Sequence, residues 1–173
     1  MLGPGDYNVG FNSSEAEDWD DWAYYGNFGL ADQTEVGLYL WRPDNPAAEE
    51  TYLHAKRAVT SADENPQVAV GVFDITDETE TTVYAVATWE QGQVVGTVDG
   101  REVRFLHLSG GFAAGQFEDF FAGAQLAFGE EFELLAEFVD DDLNVGARLR
   151  PVRDFNIDLG LMDWDDFAIN VSY

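Results

Sequence analysis

Apolar and polar residues alternate along this sequence in short runs, and the alternation restarts about every dozen residues. A period of two is the period of a β-strand, whereas helical spacing is nowhere sustained. Turn-forming residues such as Asp99 and Gly100 separate the runs, and most connections are short enough to join only antiparallel neighbours. The sequence therefore predicts twelve strands: Asp6–Asn12, Trp22–Leu30, Thr34–Trp41, Thr51–Val59, Gln67–Asp74, Thr81–Trp89, Glu102–Ser109, Phe117–Phe128, Glu131–Phe138, Leu143–Arg150, Phe155–Met162 and Asp165–Tyr173.

One stretch leaves the strand count open. Val94 to Val98 alternate poorly but precede Asp99-Gly100, a strong turn signal. An additional short hairpin arm is therefore an alternative for residues 93–101.

The two faces of the predicted strands differ in kind. One face is almost continuously apolar, as at Val68, Val70 and Val72, and the other mixes glycine with charges of both signs. A meander of many strands leaves two open edges, and pairing the first strand with the last removes both. The sequence therefore predicts an all-β fold, an antiparallel up-and-down meander of about 12 strands closed into a barrel, with residues 1–173 as a single domain.

Either face of such a barrel can line its interior. An apolar interior describes a soluble barrel or flattened sandwich, whereas a polar interior requires the apolar wall to meet lipid or another protein. Glycine suits a narrow, crowded interior better than a solvated strand face, and most of the scarce bases share a face with acids. Both observations favour the polar interior. The ion network expected there consists of Glu35, His54, Lys56, Glu133, Glu137, Arg148, Arg150 and Asp158.

Large aromatic residues are expected near both ends of the strands. Amphipathic rings concentrate at the two membrane–water interfaces, and tilted strands of about ten residues suit a hydrocarbon core. Aromatic residues also flank turns in other β proteins, which is the alternative explanation. The predicted belts are Trp19, Trp22, Trp41 and Trp164 at the upper ends and Tyr7, Trp89, Phe155 and Tyr173 at the lower ends.

Composition excludes several classes of function. Asp plus Glu outnumber Lys plus Arg by 34 to 8, and the resulting charge of −26 repels phosphate backbones, so nucleic acid is not an expected partner. Cysteine is absent, which excludes disulfides, thiolate metal sites and cysteine nucleophiles. No apolar run is long enough for a transmembrane helix, and Met1–Gly5 lacks the features of a signal peptide. We therefore expect either an intracellular chain or one from which a leader was removed.

The meander, its alternating strands and the final Asp166–Tyr173, which ends on an aromatic residue, resemble bacterial outer-membrane β-barrels. Within that class, Gly3–Phe11 and the segment Gly71–Asp77, followed by Tyr84–Ala87, look like YjbH-type barrels. Those are envelope proteins associated with exopolysaccharide production or export. The resemblance implies an outer-membrane location and a polysaccharide as candidate partner, and it carries no catalytic signature.

Two sets of residues suggest chemistry. His107 and Ser109 place a base and a nucleophile two residues apart, near the expected upper rim, and resemble the His-x-Ser pair of outer-membrane lipid A deacylases, with Glu118 as the nearby acid. A histidine and a serine at a strand end are the simpler interpretation. Glu133 and Glu137 share the polar face but lack a sugar-binding aromatic platform, so pairing with Arg148 and Arg150 is expected instead.

Three acidic loops are expected at one end of the barrel. Dense carboxylates can bind Ca²⁺, although none of these loops has EF-hand spacing, and a solvated acidic rim is the simpler interpretation. No phosphate-binding loop, metal-spaced histidine pair or cofactor fingerprint is present, so no cofactor is expected. The loops are Glu15–Asp21, Asp74–Glu80 and Asp140–Asp142.

The leading hypothesis is a non-enzymatic barrel in a bacterial outer membrane, structural or exopolysaccharide-associated, whose apolar wall meets the lipid bilayer. The alternative is a secreted subunit that assembles with copies of itself into an extracellular filament, with Leu2–Phe11 as the donated strand. The lipid A deacylase-like enzyme is the second alternative.

Overall fold

The computed structural model describes residues 1–14, 22–30, 33–42, 49–78, 80–115, 119–139, 142–163 and 166–173. These residues form an antiparallel meander of strands closed into a barrel, so the predicted fold class is confirmed. The strands are β1 (Tyr7–Ser14), β2 (Trp22–Gly29), β3 (Thr34–Arg42), β4 (Glu50–Ala58), β5 (Gln67–Phe73), β6 (Thr82–Val98), β7 (Arg101–Ala114), β8 (Asp119–Phe128), β9 (Phe132–Val139), β10 (Asp142–Val152), β11 (Phe155–Met162) and β12 (Asp166–Ser172).

The barrel closes where β1 pairs with β12. The register runs from Gly10 opposite Ser172 to Ser14 opposite Ala168, and Val9 and Tyr173 exchange two backbone hydrogen bonds of 2.8 Å. The other edge of β1 pairs with β2. Both edges of β1 are therefore occupied within one chain, and the strand that the filament hypothesis expected to donate to a neighbour is already paired.

The strand order assigns each connection to one end of the barrel. Both chain ends and the connections after even-numbered strands lie at what we call the lower end, and the connections after odd-numbered strands lie at the upper end. The lower turn between β6 and β7 is Asp99-Gly100, where both residues have positive φ, 49° and 79°. Glycine and aspartate tolerate this conformation, which matches the twist of an antiparallel hairpin.

The apolar strand face points outward. Buried apolar side chains are few and small among the described residues, namely Ala23, Ala69, Val103 and Ala127, whereas Glu133 on the opposite face is only 2% exposed. The barrel thus encloses a polar lumen instead of an apolar core, the orientation that its glycines and charges favoured. Outward residues with at least 36% exposure include Val9, Tyr24, Leu38, Leu53, Val70, Val83, Leu108, Phe112, Phe120, Leu134, Phe138, Leu143, Leu149 and Phe167.

None of the residues in the ranges described above belongs to a helix long and apolar enough to cross a membrane.

Strands β6 and β7 form a hairpin that extends beyond the lower end. β5 pairs with β6 only as far as Thr88, yet β6 and β7 continue to pair down to Val98 and Arg101. Residues 93–101, for which a separate short hairpin arm was the alternative, are therefore the continuation of these two strands, with bulges near Gly92 and Val95. Residues 89–102 of this hairpin are exposed throughout.

Where β5 no longer pairs with β6, the side chain of Asn65 forms the hydrogen bonds to β6 that a neighbouring strand would form. Its amide nitrogen donates to the carbonyl of Glu90 at 2.8 Å, and its amide oxygen accepts from the backbone N–H of Glu90 at 3.1 Å. One side chain in the β4–β5 connection therefore pairs both backbone groups of Glu90 and anchors the base of the hairpin.

We expect Asn65→Ala to expose the Glu90 amide to solvent. Loss of a backbone hydrogen bond worth about 1 kcal/mol should raise its hydrogen-exchange rate roughly fivefold. Gln67→Ala is the matched control, because the side chain of Gln67, at the start of β5, donates to the carbonyl of Ala62 in the β4–β5 connection and not to β6. Equal exchange at Glu90 in the two variants would show that Asn65 does not hold the hairpin.

Candidate functional site in the barrel lumen

Four charged side chains form an ion cluster on the lumen faces of β9, β10 and β11. Arg148 makes a bidentate contact with Asp158, at 2.7 Å from Nε to Oδ1 and 3.0 Å from Nη2 to Oδ2, and its Nη1 lies 3.9 Å from Oε2 of Glu133. Arg150 forms a salt bridge with the other oxygen of Glu133. Two acids and two bases give this ion cluster a formal charge of zero. The backbone register explains the contacts, because Arg148 stands opposite both Glu133 and Asp158.

Amide side chains extend the ion cluster to its neighbouring strands. Gln125 on β8 donates to Glu133, and Asn170 on β12 donates to Oδ2 of Asp158 at 2.8 Å. Nε of Arg150 donates to Oδ1 of Asn156 at 3.1 Å. Every charged member of the ion cluster therefore has a hydrogen-bond partner, which is the condition for burying ions at an acceptable cost.

Tyrosine and histidine side chains continue this pattern around the closure of the barrel. Tyr25 on β2 donates to Asn170 at 3.1 Å, and Tyr39 on β3 donates to Asn12 at 3.2 Å. His54 on β4 shares a 2.7 Å hydrogen bond with Asn27. Together with the ion cluster, these contacts form an inner belt from β4 through β1 and β12 to β8. The belt consists of His54, Asn27, Tyr39, Asn12, Tyr25, Asn170, Asp158, Arg148, Arg150, Glu133 and Gln125.

Two lumen glycines make room for this inner belt. A Cβ at Gly10 would collide with the ring of Tyr25, and one at Gly37 would collide with the ring of His54 and the amide of Asn27. Each glycine lies on the strand that the belt contact crosses, since Tyr25 reaches over β1 and His54 reaches over β3. Close approach of a side chain thus explains why glycine stands at these positions.

The rest of the predicted ion network is arranged differently. Glu35 stands opposite Lys56, but its carboxylate accepts from the backbone N–H of Leu2 at 3.1 Å. His54 bonds to Asn27 and not to Glu35. Neither Lys56 nor Glu137 forms a salt bridge with any residue that the structure describes.

A polar cavity of about 300 Å³ lies in the lower half of the lumen. His107 and Ser109 line it, so the pair lies low in the barrel and not near the upper rim where it was expected. Ser109 hydrogen-bonds with Thr88 at 3.0 Å, and Nδ1 of His107 is buried without a partner among the described residues. Among the described residues, therefore, the hydroxyl of Ser109 bonds to Thr88 and no acid bonds to Nδ1 of His107. Glu118, the proposed third member, lies outside the described residues.

The predicted aromatic belts are reproduced only in part by the described residues. Trp22 at the upper end and Tyr7, Trp89 and Tyr173 at the lower end are exposed on the outward face, with Phe155 partly covered. Trp41 stands opposite Ala23 and Glu50 on the lumen face, in phase with Tyr39, so it does not belong to an outward belt. Trp19 and Trp164 lie outside the described residues.

One acidic loop has a structural function. Asp74 is fully buried, and its Oδ1 accepts from the hydroxyl of Thr76 at 2.7 Å and from the backbone N–H of Glu78 at 3.2 Å. Asp74 thus organises the β5–β6 connection and is not part of a solvated rim. The part of the chain that the structure describes has no group of three or more side chains placed to hold a metal ion. Residues 15–21 and 140–141 of the other two loops lie outside that part.

Comparison of the sequence with known protein families and with curated proteins finds no match. The YjbH-type resemblance therefore stays a prediction.

Sequence reasoning did not identify Tyr25, Tyr52 and Asn27 as lumen residues. Each of them stands directly opposite a polar-face residue of a neighbouring strand. Residues that stand opposite each other point to the same face, so the strand pairing identifies all three.

We expect Glu133→Gln to destabilise the folded barrel by about 3 kcal/mol, because it leaves an uncompensated positive charge on a half-buried guanidinium. Glu102→Gln is the matched control. Glu102 pairs with Arg104 at 2.6 Å, but both side chains are more than half exposed, so the loss should stay below about 1 kcal/mol. Denaturant midpoints of the two variants in detergent micelles measure the difference. Equal midpoints would show that the ion cluster contributes no more than a surface pair.

Proposed function

We propose that this protein is a non-enzymatic β-barrel of a bacterial outer membrane. The observation that carries the proposal is the continuous outward wall of exposed apolar side chains, which includes Leu53, Val70, Phe112 and Leu134. Water does not stabilise such a surface, whereas the hydrocarbon core of a bilayer does. Closure of the sheet pairs the first strand with the last, which supports residence in lipid because backbone groups there must be hydrogen-bonded within the protein.

The dimensions of the wall support the same conclusion. Its strands outside the β6–β7 hairpin are 7 to 11 residues long, close to the roughly ten tilted residues that cross a hydrocarbon core. Short turns face the periplasm in bacterial barrels of this kind, and longer loops face outward. The lower end, with Asp99-Gly100 and both chain ends, accordingly faces the periplasm, and the β6–β7 hairpin projects into it.

The lumen supports a structural task better than wide passage. Barrels of sixteen or more strands enclose an aqueous channel, whereas eight strands leave room only for side chains. Twelve strands lie between these limits. The inner belt fills part of this lumen along the strands from β4 through β1 and β12 to β8. We infer a scaffold in envelope polysaccharide traffic, and the support for that task is the resemblance to YjbH-type barrels.

A secreted filament subunit is the second candidate, because copies of the chain can also cover an apolar wall. Pairing of β1 with β12 in the same chain argues against donation of Leu2–Phe11. A lipid A deacylase activity is disfavoured by the bond of Ser109 to Thr88 and by the unpartnered Nδ1 of His107.

Membrane residence predicts that the protein is recovered from the outer-membrane fraction only with detergent. The folded barrel should run faster than the boiled sample in a denaturing gel, because a closed barrel binds less detergent than the unfolded chain. A soluble monomer or a detergent-resistant fibre recovered from the culture medium would contradict the proposal.

The non-enzymatic task predicts a specific pattern of complementation. Deletion of the gene in its native host should reduce cell-bound exopolysaccharide, and wild type, Ser109→Ala and His107→Gln should restore it equally. Lipid acyl composition, measured by mass spectrometry, should be the same in all three complemented strains. If only the wild-type gene restored the polysaccharide, the protein would be an enzyme. If deletion left the amount of cell-bound polysaccharide unchanged, the proposed role in polysaccharide traffic would be wrong.

A further inference from the structure

Arg57 is the only basic residue on the outward wall between the two rims, and all eight Lys and Arg residues of the chain are described. It stands opposite Thr34 and Val70 at the lower end of β4. The other seven are placed elsewhere: Lys56, Arg148 and Arg150 in the lumen phase, Arg101 and Arg104 on the protruding hairpin, Arg42 at the upper rim and Arg153 in a lower turn.

Among the described residues, none supplies a counter-charge to Arg57. Its outward neighbours on β3, β4 and β5 are Thr34, Val36, Ala55, Val70 and Val72, none of which is charged. No salt bridge joins Arg57 to a carboxylate of the described residues, whereas Arg42 at the upper rim has Glu49 within 3.9 Å. Near a membrane interface the cost of a guanidinium on an apolar wall is small, and an anion that reaches it adds a charge-assisted hydrogen bond.

An apolar groove of about 650 Å³ begins at Arg57 and crosses the outer face from β4 to β7. Its lower row continues from Arg57 through Val70 and Ala85 to Phe112, as the strand register shows. A second row lies two residues further from the lower end, roughly 7 Å along the strands, and contains Ala55, Val72, Val83 and Ala114. Small side chains form the floor, and Phe112, which is 68% exposed, stands at one side.

We propose that this groove binds one glycerophospholipid of the lower leaflet, with the phosphate on Arg57 and part of an acyl chain in the groove. A guanidinium matches phosphate oxygens with two parallel hydrogen bonds, and the lower interface of a bilayer supplies phosphate at that height. The groove leads away from the guanidinium along the wall, from the lower end of β4 to the upper ends of β6 and β7, and an acyl chain attached to the headgroup can follow it. The inference rests on the proposed membrane location.

Native mass spectrometry of the detergent-extracted barrel, loaded with phosphatidylglycerol, tests the site. Wild type should retain one phospholipid at an activation energy that strips the rest, and Arg57→Gln should retain it about tenfold less. Arg42→Gln is the matched control, since it removes an outward arginine at the opposite rim, and it should retain the lipid as wild type does. Excess inorganic phosphate should not displace the lipid, because the groove binds the acyl chain as well.

A second variant separates the two halves of the site. Ala85→Leu fills the groove without touching the charge and should also weaken retention, while Arg57→Lys should keep most of it. Equal retention by wild type, Arg57→Gln and Ala85→Leu would overturn the proposal, as would a wild-type dimer that Ala85→Leu dissociates, because the groove would then be an interface between copies. The heat-modified gel mobility of each variant verifies its fold, and a chain that never enters detergent would overturn the membrane location itself.

Discussion

Pairing of β1 with β12 is the interaction on which the other features depend. Without it the meander would expose two strand edges and two faces, and neither face could be enclosed. Once the sheet closes, one face must become an interior, and the side chains on it lose part of their contact with water. Closure explains both the glycines and the charged residues of that face. In the confined interior, aromatic rings pass directly over Gly10 and Gly37, and Arg148 requires an ion pair.

The lumen shows how a chain with a charge of −26 encloses ions. Acids and bases are balanced in the ion cluster of Glu133, Arg148, Arg150 and Asp158, and neutral amides complete their hydrogen bonds. The excess acid lies mainly in the sequence between the strands. Burial therefore selects locally neutral groups from a sequence that is strongly acidic overall.

The outward wall follows the opposite rule. It excludes charge almost entirely, and Arg57 is the one basic exception between the rims. Aromatic residues near the lower end, such as Tyr7, Trp89 and Tyr173, surround the same level of the barrel. A lipid phosphate on Arg57 would give this exception a counter-charge, which none of the described residues supplies. The β6–β7 hairpin, which Asn65 anchors at its base, extends beyond the lower end of the wall.

The sequence alone determined the strand pattern, the turn positions and the closed meander, because alternation with a period of two and short connections leave few other topologies. It also determined which residues share a face, and hence most of the ion cluster. Only the tertiary structure decided the lumen partners: Glu35 bonds to Leu2 instead of Lys56, His54 bonds to Asn27, Trp41 turns inward, and His107 lies low in the barrel. Pairs such as Tyr25 and Asn170 are 145 residues apart, and their contact depends on the register at which the barrel closes. Alternation fixes the face of each residue but not this register, so the sequence identifies the lumen and the fold selects its contacts.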